Sequence, residues 1–219
     1  MGTNPPASSI NGHSRVLAGL PKASMEAAVA RGQGKSSTGT ALENVTLEVI
    51  MPPTVALIIE TETDNRNRTL NDLRHLVKVH GGSVTPTSYL FQKRGRVAFE
   101  SEDGKIGVDE ILDAAIEAGA DDVEMDEDGN IVVWTEPNKT TVTAEALQKS
   151  HGLKVESADI IWDPNEDTKV SLKDEETLKL AELLEALEDN PQVQGIYANL
   201  AQGDLSEVVW EELQSHLDA

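Results

Sequence analysis

Residues 95–167 constrain the fold more than any other part of this chain, because they predict six elements in a known order. Apolar residues recur at helical spacing between Val108 and Ile116, and Gly119 is placed to end that helix. Asp128-Gly129 favours a tight type I′ turn between two short strands. The predicted elements are a strand, helix, strand, strand, helix and strand near 96–100, 108–119, 122–126, 131–135, 143–151 and 155–162. This βαββαβ order is that of the split-βαβ, ferredoxin-like arrangement.

The residues before this unit predict an incomplete sheet. A strand near 45–50, a break at 51–54 and an apolar strand from 55 to 63 indicate a hairpin. Asp64 or Asn65 can cap the following helix. That helix places three apolar residues on one face and four polar ones on another; they are Leu70, Leu73 and Val77, and Asn71, Arg74, His75 and Lys78. A short strand at Tyr89–Phe91 and a basic turn at Lys93–Arg96 complete the group.

The residues after the unit predict a helix, a strand and a second helix. Apolar spacing indicates a helix that contains Leu178, Leu180, Ala181, Leu184 and Leu187. A strand follows at 192–199, and the final helix at 205–217 should bury Val208, Val209 and Leu213. A strand needs a sheet to join, and residues 45–93 lack a closing helix and strand. Residues 172–199 would therefore complete that earlier sheet.

These assignments predict an α+β fold in which one α/β domain is inserted into another. Residues 1–38 form an N-terminal helical segment, with a helix near 20–32, and a linker. Residues 39–94 and 168–219 form a discontinuous α/β domain. Residues 95–167 form the inserted βαββαβ domain.

The charge of the chain is distributed unevenly. Residues 1–35 hold four basic side chains against one acidic, residues 36–99 hold seven against six, and residues 100–219 hold seven against 32. The total is −21 over 219 residues. Acidic surface favours solubility. The uneven distribution also indicates that one end of the chain meets a polyanion and that the other end avoids one. The chain has no cysteine, which excludes disulfides and thiolate chemistry. No apolar run in the sequence is long enough for a membrane helix.

No catalytic, metal or cofactor site is predicted. The acidic run around the predicted hairpin turn consists of Asp121, Asp122, Glu124, Asp126, Glu127 and Asp128. With Gly129 at the sixth position of a calcium loop, Thr135 would replace the glutamate that completes such a site. The histidines lack metal-ligand spacing, and neither a phosphate-binding glycine loop nor a nucleophile elbow occurs. We therefore expect a protein that is not an enzyme.

A cluster of basic residues indicates nucleic-acid binding. All seven basic residues of 36–99 fall within 66–96; they are Arg66, Arg68, Arg74, Lys78, Lys93, Arg94 and Arg96. Guanidinium groups at the start of a helix suit phosphate oxygens, so the RNA backbone is the first partner expected. The alternative is an ordinary solvated surface whose basic residues pair with Asp64 and Asp72.

Several motifs resemble the YebC family, which includes the mitochondrial translational activator of cytochrome c oxidase. They are Asp64–Thr69, His80–Gly82, Tyr89–Phe91 with Lys93 and Gly95, Ala118–Asp122, Leu187–Asp189, Val193-Gln194 and Tyr197–Asn199, and Leu20–Lys22 with Glu26 and Arg31-Gly32. The resemblance implies three domains, with the third inserted in the second and residues 1–38 as the remnant of the helical first. It also implies a ribosome-associated translation factor that assists synthesis through difficult stretches, with a mitochondrial or a cytoplasmic location.

The sequence departs from the family in two places. The family's basic opening and first helix are absent, since Gly12–Arg15 matches that opening only superficially. The family's tyrosine-glycine-proline-glycine-glycine loop reads Ile50-Met51-Pro52-Pro53-Thr54. The sequence is therefore compatible with three functions. They are a translation factor that binds ribosomal RNA, messenger RNA or ribosomal proteins, a DNA-binding transcriptional regulator, and a protein-binding scaffold that uses the acidic half.

Overall fold

The computed structural model describes residues 41–100, 107–126 and 129–218. The helix predicted near 20–32 and the departure at Gly12–Arg15 lie outside these ranges, as does Asp128 of the predicted turn. Within them the protein has an α+β fold with two four-stranded sheets.

The first sheet combines strands from both ends of the described chain. Its strands are β1 (Glu43–Met51), β2 (Val55–Thr63), β3 (Ser83–Val84) and β8 (Val193–Ala198), in the order β3-β1-β2-β8. β1 pairs antiparallel with β2, which confirms the predicted hairpin, and β8 pairs antiparallel with β2. The sheet was expected to recruit a later strand, and β8 fulfils that expectation.

Three helices accompany the first sheet, and their apolar residues share a core with one of its faces. They are α1 (Arg66–Val79), α4 (Asp174–Glu188) and α5 (Glu207–Ser215). Alternate residues of β2, including Leu57 and Ile59, pack with Leu73 of α1 and Leu184 of α4, and all four are fully buried. The inward assignment of Val208 was wrong, because this residue is 73% exposed; Leu178 of α4 is also 67% exposed. Leu213 is buried as predicted.

The second sheet lies between these segments in the chain. Its elements are β4 (Phe91–Glu100), α2 (Val108–Ala118), β5 (Ala120–Met125), β6 (Ile131–Thr135), α3 (Thr140–His151) and β7 (Lys154–Pro164). The strand order is β5-β6-β4-β7, all antiparallel, as the ferredoxin-like βαββαβ arrangement requires. Val97 and Phe99 of β4 pack under α2 and α3, but Ile116 of α2 is exposed. The three-domain division remains our proposal for how these elements form units.

Two predictions between the sheets were wrong. The strand predicted at Tyr89–Phe91 was wrong at Tyr89 and Leu90, because Ser88–Leu90 is a short 3₁₀ helix, whereas Phe91 begins β4. Lys93–Arg96 is not a turn, because it lies inside β4, where it pairs with both β6 and β7. Gly95 was part of the predicted turn, but in β4 the side chains of Thr135 and Thr140 fill the space beside it.

The two sheets meet through the face of the first sheet that is opposite its helices. Ala56 and Ile58 of β2 and Tyr197 of β8 contact Phe91 and Ile161 of the second sheet, and all five are buried. α1 therefore lies on the far side of the first sheet from the second sheet.

The chain enters and leaves the second sheet at one place. The Asn165 backbone N–H donates to the Leu90 carbonyl oxygen over 2.9 Å, and its side-chain amide donates to the Tyr89 carbonyl oxygen over 3.2 Å. The Thr168 hydroxyl also donates to the Leu90 oxygen. The two crossing segments, which connect the sheets at Leu90 and at Asn165, are thus held side by side.

Among the helices of the described ranges, none combines the length and apolar character that crossing a lipid bilayer takes.

Hydrogen bonds to Glu48 hold the first crossing segment in place just before Leu90. One of its carboxylate oxygens accepts hydrogen bonds from the backbone N–H groups of Thr87 and Ser88, over 2.6 and 2.7 Å. Burial raises the pKa of Glu48, but these hydrogen bonds outweigh burial and hold the pKa below its ordinary value of 4.5.

Glu48→Gln should lower the free energy of unfolding by about 1 kcal/mol at pH 7, because a neutral amide accepts these bonds less strongly. The native pKa is depressed, so the stabilisation is present above pH 4.5 and is lost as pH falls through the native pKa. Urea denaturation of both proteins should therefore give curves that converge in acid. A difference that stayed constant from pH 7 into acid would contradict this assignment.

Candidate nucleic-acid interface

The basic residues of α1 begin at a strand-to-helix junction. Asn65 is the N-cap, and its side-chain oxygen accepts a hydrogen bond from the Arg68 backbone N–H over 3.1 Å. The Asp64 carboxylate instead forms an ion pair with the Arg68 guanidinium group, with 3.0 Å between oxygen and nitrogen. The sequence left the cap open between Asp64 and Asn65, and the structure selects Asn65.

A hydrogen-bond network that the sequence did not reveal holds this junction in place. The Thr63 hydroxyl lies 2.8 Å from the Thr69 hydroxyl, which donates to the Gln192 side-chain oxygen over 2.6 Å. The Gln192 amide donates back to Thr63 over 3.3 Å, and the Asn65 N–H donates to Thr63 over 3.0 Å. These bonds connect the end of β2, the first turn of α1 and the start of β8. No sequence signal links Gln192 to a site 129 residues away.

The first turn of α1 is unusually positive. It contains no acidic residue, although a helix N-terminus favours negative charge. Arg66 and Arg68 are both exposed there. Arg66 has no ion pair with a carboxylate of the described ranges, and Arg68 pairs only with Asp64. The partial positive charge of the helix end adds to the two guanidinium groups, so this junction suits an anion.

One exposed flank of α1 extends this positive surface. Asn67, Asn71, Arg74 and Lys78 are spaced i, i+4, i+7 and i+11, which places them along one side of the helix, and all four are exposed. Asp72 lies on the opposite flank. Neither Arg74 nor Lys78 forms an ion pair with a carboxylate of the described ranges. The flank therefore offers two cations and two amides without a competing acid.

The other three predicted residues lie on β4, and two of them, Lys93 and Arg94, bind internal partners. Lys93 pairs with Glu60 at 3.1 Å and lies 4.8 Å from the centre of the Trp162 ring. Glu60 also accepts a hydrogen bond from the Trp162 indole over 2.8 Å. Lys93 therefore contributes to the contact between the two sheets.

Arg94 is similarly engaged. It pairs with Asp163 at 2.8 Å and stacks 4.5 Å from the centre of the Trp134 ring. The Trp134 indole in turn donates to Glu124 over 2.8 Å. A phosphate would have to compete with these contacts.

Arg96 lies in a polar cleft of about 330 Å³ with Asp159, Tyr197 and Asp218. Burial raises the pKa of Tyr197, and the negative charges of Glu60, Asp218 and Asp159 raise it further. Burial also raises the pKa of Asp218, although the hydrogen bond from the Ile196 N–H opposes this. The carboxylates that surround Arg96 make the cleft unfavourable for a phosphate.

The structure thus does not bring the seven predicted residues onto one surface. Arg66, Arg68, Arg74 and Lys78 lie on α1, whereas Lys93, Arg94 and Arg96 lie on β4, across the first sheet. Within the described ranges, no group of three or more histidine, aspartate or glutamate side chains has the geometry to hold a metal ion. The α1 residues form the stronger candidate interface.

Comparison with known proteins identifies relatives along most of the chain. A family profile described as the TACO1/YebC second and third domain matches residues 42–200. A probable transcriptional regulatory protein of Nitrosococcus oceani is 38% identical over 199 residues, which cover 90% of this chain and 76% of the relative. A protein of the same name from Rubrobacter xylanophilus is 36% identical over 200 residues, with the same coverage of 90% and 76%.

A solved structure is also similar to this chain. The crystal structure of a conserved hypothetical protein, Aq1575, from Aquifex aeolicus matches with a TM-score of 0.61 and 33% identity, covering 77% of this chain and 70% of that one. The profile spans more than half of the chain, and the relatives exceed 30% identity over most of their own length. The chain therefore belongs to the TACO1/YebC family.

Proposed function

We propose that this protein is a translation factor, not an enzyme, that associates with the ribosome by binding RNA phosphates through α1. The observation that carries the proposal is the exposed, acid-free flank of α1, together with Arg66 and Arg68 at its first turn, in a chain of net charge −21. Arg66, Arg74 and Lys78 have no ion pair with a carboxylate of the described ranges, so they lose little when they bind phosphate, whereas Arg68 would exchange its pair with Asp64 for the phosphate. Their binding releases counterions from the nucleic acid. The strongly acidic residues 100–219 would repel RNA and disfavour contact through that part of the protein.

Phosphate contacts position a protein on RNA without reading its sequence. The exposed Asn67 and Asn71 could add hydrogen bonds to ribose or phosphate oxygens along the same flank. The function then consists of placing the rest of the molecule at a defined site on the ribosome. The support for translation, as distinct from other uses of RNA, is the resemblance of the chain to family members that act there.

Ribosome co-sedimentation and RNA binding of the full chain test this proposal. Arg66→Glu/Arg68→Glu and, separately, Arg74→Glu/Lys78→Glu should each reduce affinity for a ribosomal RNA fragment about tenfold or more, because attraction becomes repulsion. For single-stranded RNA, the log–log slope of affinity against salt should become shallower by about 0.7 for each phosphate that the variant no longer neutralises. Both variants should also fail to co-sediment with ribosomes.

A matched control is Lys149→Glu/Lys173→Glu, which makes the same change in net charge at exposed lysines outside α1. It should keep its RNA affinity, and circular dichroism should show all three variants folded. Equal losses of affinity in the control and the α1 variants would indicate a general charge effect, and unchanged ribosome association in the α1 variants would exclude this site.

The second candidate is a DNA-binding transcriptional regulator, which the names of the bacterial relatives favour. Such a protein should bind a specific duplex about 10³-fold or more tightly than random duplex at physiological salt. Parallel titrations with duplex DNA and RNA of equal length distinguish the two candidates. A sequence preference on DNA that exceeds the affinity for RNA would replace our proposal.

We further propose a mitochondrial matrix location, supported by the resemblance to mitochondrial family members. Fractionation of cells that express the full chain should recover it with matrix proteins. Recovery only in the cytosol would reject this location.

A further inference from the structure

A second surface lies at the opposite end of α1 from the arginine junction. Three elements meet there around an open groove of about 720 Å³: the β1–β2 turn, the end of α1 and the first turns of α4. This volume lies within the range of roughly 300–1,000 Å³ that ligand sites occupy.

Glycines allow α1 to end against the turn. Gly81 has a φ of +84°, which favours glycine, and it follows the last residues of the helix. At Gly82 a Cβ atom would lie 2.5 Å from the Met51 sulfur and 2.8 Å from a Val77 methyl carbon. The backbone therefore lies directly against β1, and this close approach sets the shape of the groove.

The floor of the groove is apolar and open. Val79, the last residue of α1, is 66% exposed, and the adjoining Pro52 and Pro53 are exposed as well. Beneath them Met51 is buried in the core. The floor can therefore contact an apolar side chain of a partner, and burial of that surface would favour binding.

The wall of the groove is acidic. Glu175, Glu176 and Glu182 line it from α4, against a single lysine, Lys179. Glu175 pairs with Lys179 at 3.0 Å, and Glu176 accepts a hydrogen bond from the Lys173 N–H over 3.0 Å. Glu182 is exposed and has no ion pair within the described ranges. The net charge of the wall repels phosphate and attracts cationic side chains.

We propose that this groove binds a basic peptide segment of a partner protein, with lysine or arginine side chains against α4 and an aliphatic side chain over Val79. Charge complementarity selects the partner's chemistry, and the apolar floor selects a peptide over a free polyamine. α1 would thereby carry an RNA contact along its flank and a protein contact at its end. The inference goes beyond the proposed function, because it concerns different residues and a different class of partner.

Fluorescence anisotropy of a short labelled peptide that alternates lysine and leucine tests the proposal with the full chain. Glu182→Lys should weaken binding roughly fivefold or more, because it removes a charge attraction and adds a repulsion. Glu185→Lys makes the same change on an exposed residue of the same helix that does not line the groove, and should bind as the wild type does. The same peptide with glutamate in place of lysine should not bind.

The apolar half of the site has its own test. Val79→Ser should weaken the lysine–leucine peptide but not a lysine–serine peptide, whereas Val142→Ser, at a residue that is 64% exposed on α3, should change neither. Equal weakening by Glu182→Lys and Glu185→Lys, or no saturable binding, would overturn the proposal. If the chain alone is a dimer in light scattering and Glu182→Lys dissociates it, the occupant is a second copy, which also overturns it. Arg66→Glu/Arg68→Glu should leave peptide binding unchanged, so either proposal can fail alone.

Discussion

Leu184→Ala should lower the free energy of unfolding by about 3–4 kcal/mol. Leu184 lies on α4 and is fully buried against the first sheet, among apolar side chains of β1, β2 and α1. Truncation removes its burial from water and leaves a cavity that the sheet cannot fill by relaxation. Urea denaturation followed by circular dichroism measures the decrease.

Leu178→Ala is the matched control for that substitution. It makes the same chemical change on the same helix, but Leu178 is 67% exposed, so a decrease below about 0.5 kcal/mol is expected. The comparison cancels the effect of the helix propensity of alanine. Similar decreases for the two variants would mean that α4 does not pack against the first sheet in this orientation.

Gly95→Ala should cost about 2–3 kcal/mol, the size expected when a methyl group is forced into a filled core. A Cβ atom at Gly95 would lie 2.9 Å from the Thr140 Cβ and closer still to the hydroxyl oxygens of Thr135 and Thr140. Both threonines are buried, and their hydroxyl groups lie 3.2 Å apart. Accommodation would therefore require β4 or the start of α3 to move.

Two further variants isolate the cause. Gly107→Ala meets no atom within 4 Å and should reduce stability by less than about 1 kcal/mol, mainly from the change of N-cap residue. Gly95→Ala/Thr140→Ala should recover part of the stability that Gly95→Ala removes, because one of the crowding hydroxyl groups is gone. Thermal denaturation of the wild type, Gly95→Ala, Thr140→Ala and the double variant measures this coupling. Additive effects would show that Thr140 is not the obstacle.

The sequence predicted those elements whose signals are local. β6 was placed at its observed bounds, and α2 was correctly ended at Gly119, because apolar spacing and a left-handed glycine act within a few residues. The recruitment of β8 by the first sheet was also predictable, since a helix and strand were missing from the earlier group. Exposed positions such as Leu178 and Val208 were not, because an apolar residue at a helix edge has the same spacing as one in the core.

The errors at Tyr89 and Gly95 share a physical cause, which is contact with residues far along the chain. Tyr89 looked like a strand residue, but the Glu48 carboxylate binds the backbone of Thr87 and Ser88 and draws the segment into a 3₁₀ turn. Gly95 looked like part of a turn, but two threonines from later elements replace the missing side chain.

The candidate site shows the same division. The exposure of Arg74 and Lys78 followed from helical periodicity, whereas the internal partners of Lys93 and Arg94 come from Glu60 and Asp163, at distances of 33 and 69 residues in sequence. The network around Thr63 and Gln192 was equally hidden. Periodicity therefore places a side chain on a surface, but it does not show whether that side chain is already engaged.

The paired crossing segments at Leu90 and Asn165 have a consequence for the order of assembly. β2 can pair with β8 only after the chain has brought together residues more than a hundred positions apart, such as Thr63 and Gln192, which are separated by 129. If residues 91–164 fold first, their ends bring Thr168 beside Leu90, and the remaining search involves only residues 64–89 and 169–191, which are much shorter connections. During synthesis the second sheet emerges complete before β8, so it can hold Leu90 and Asn165 together before the first sheet closes.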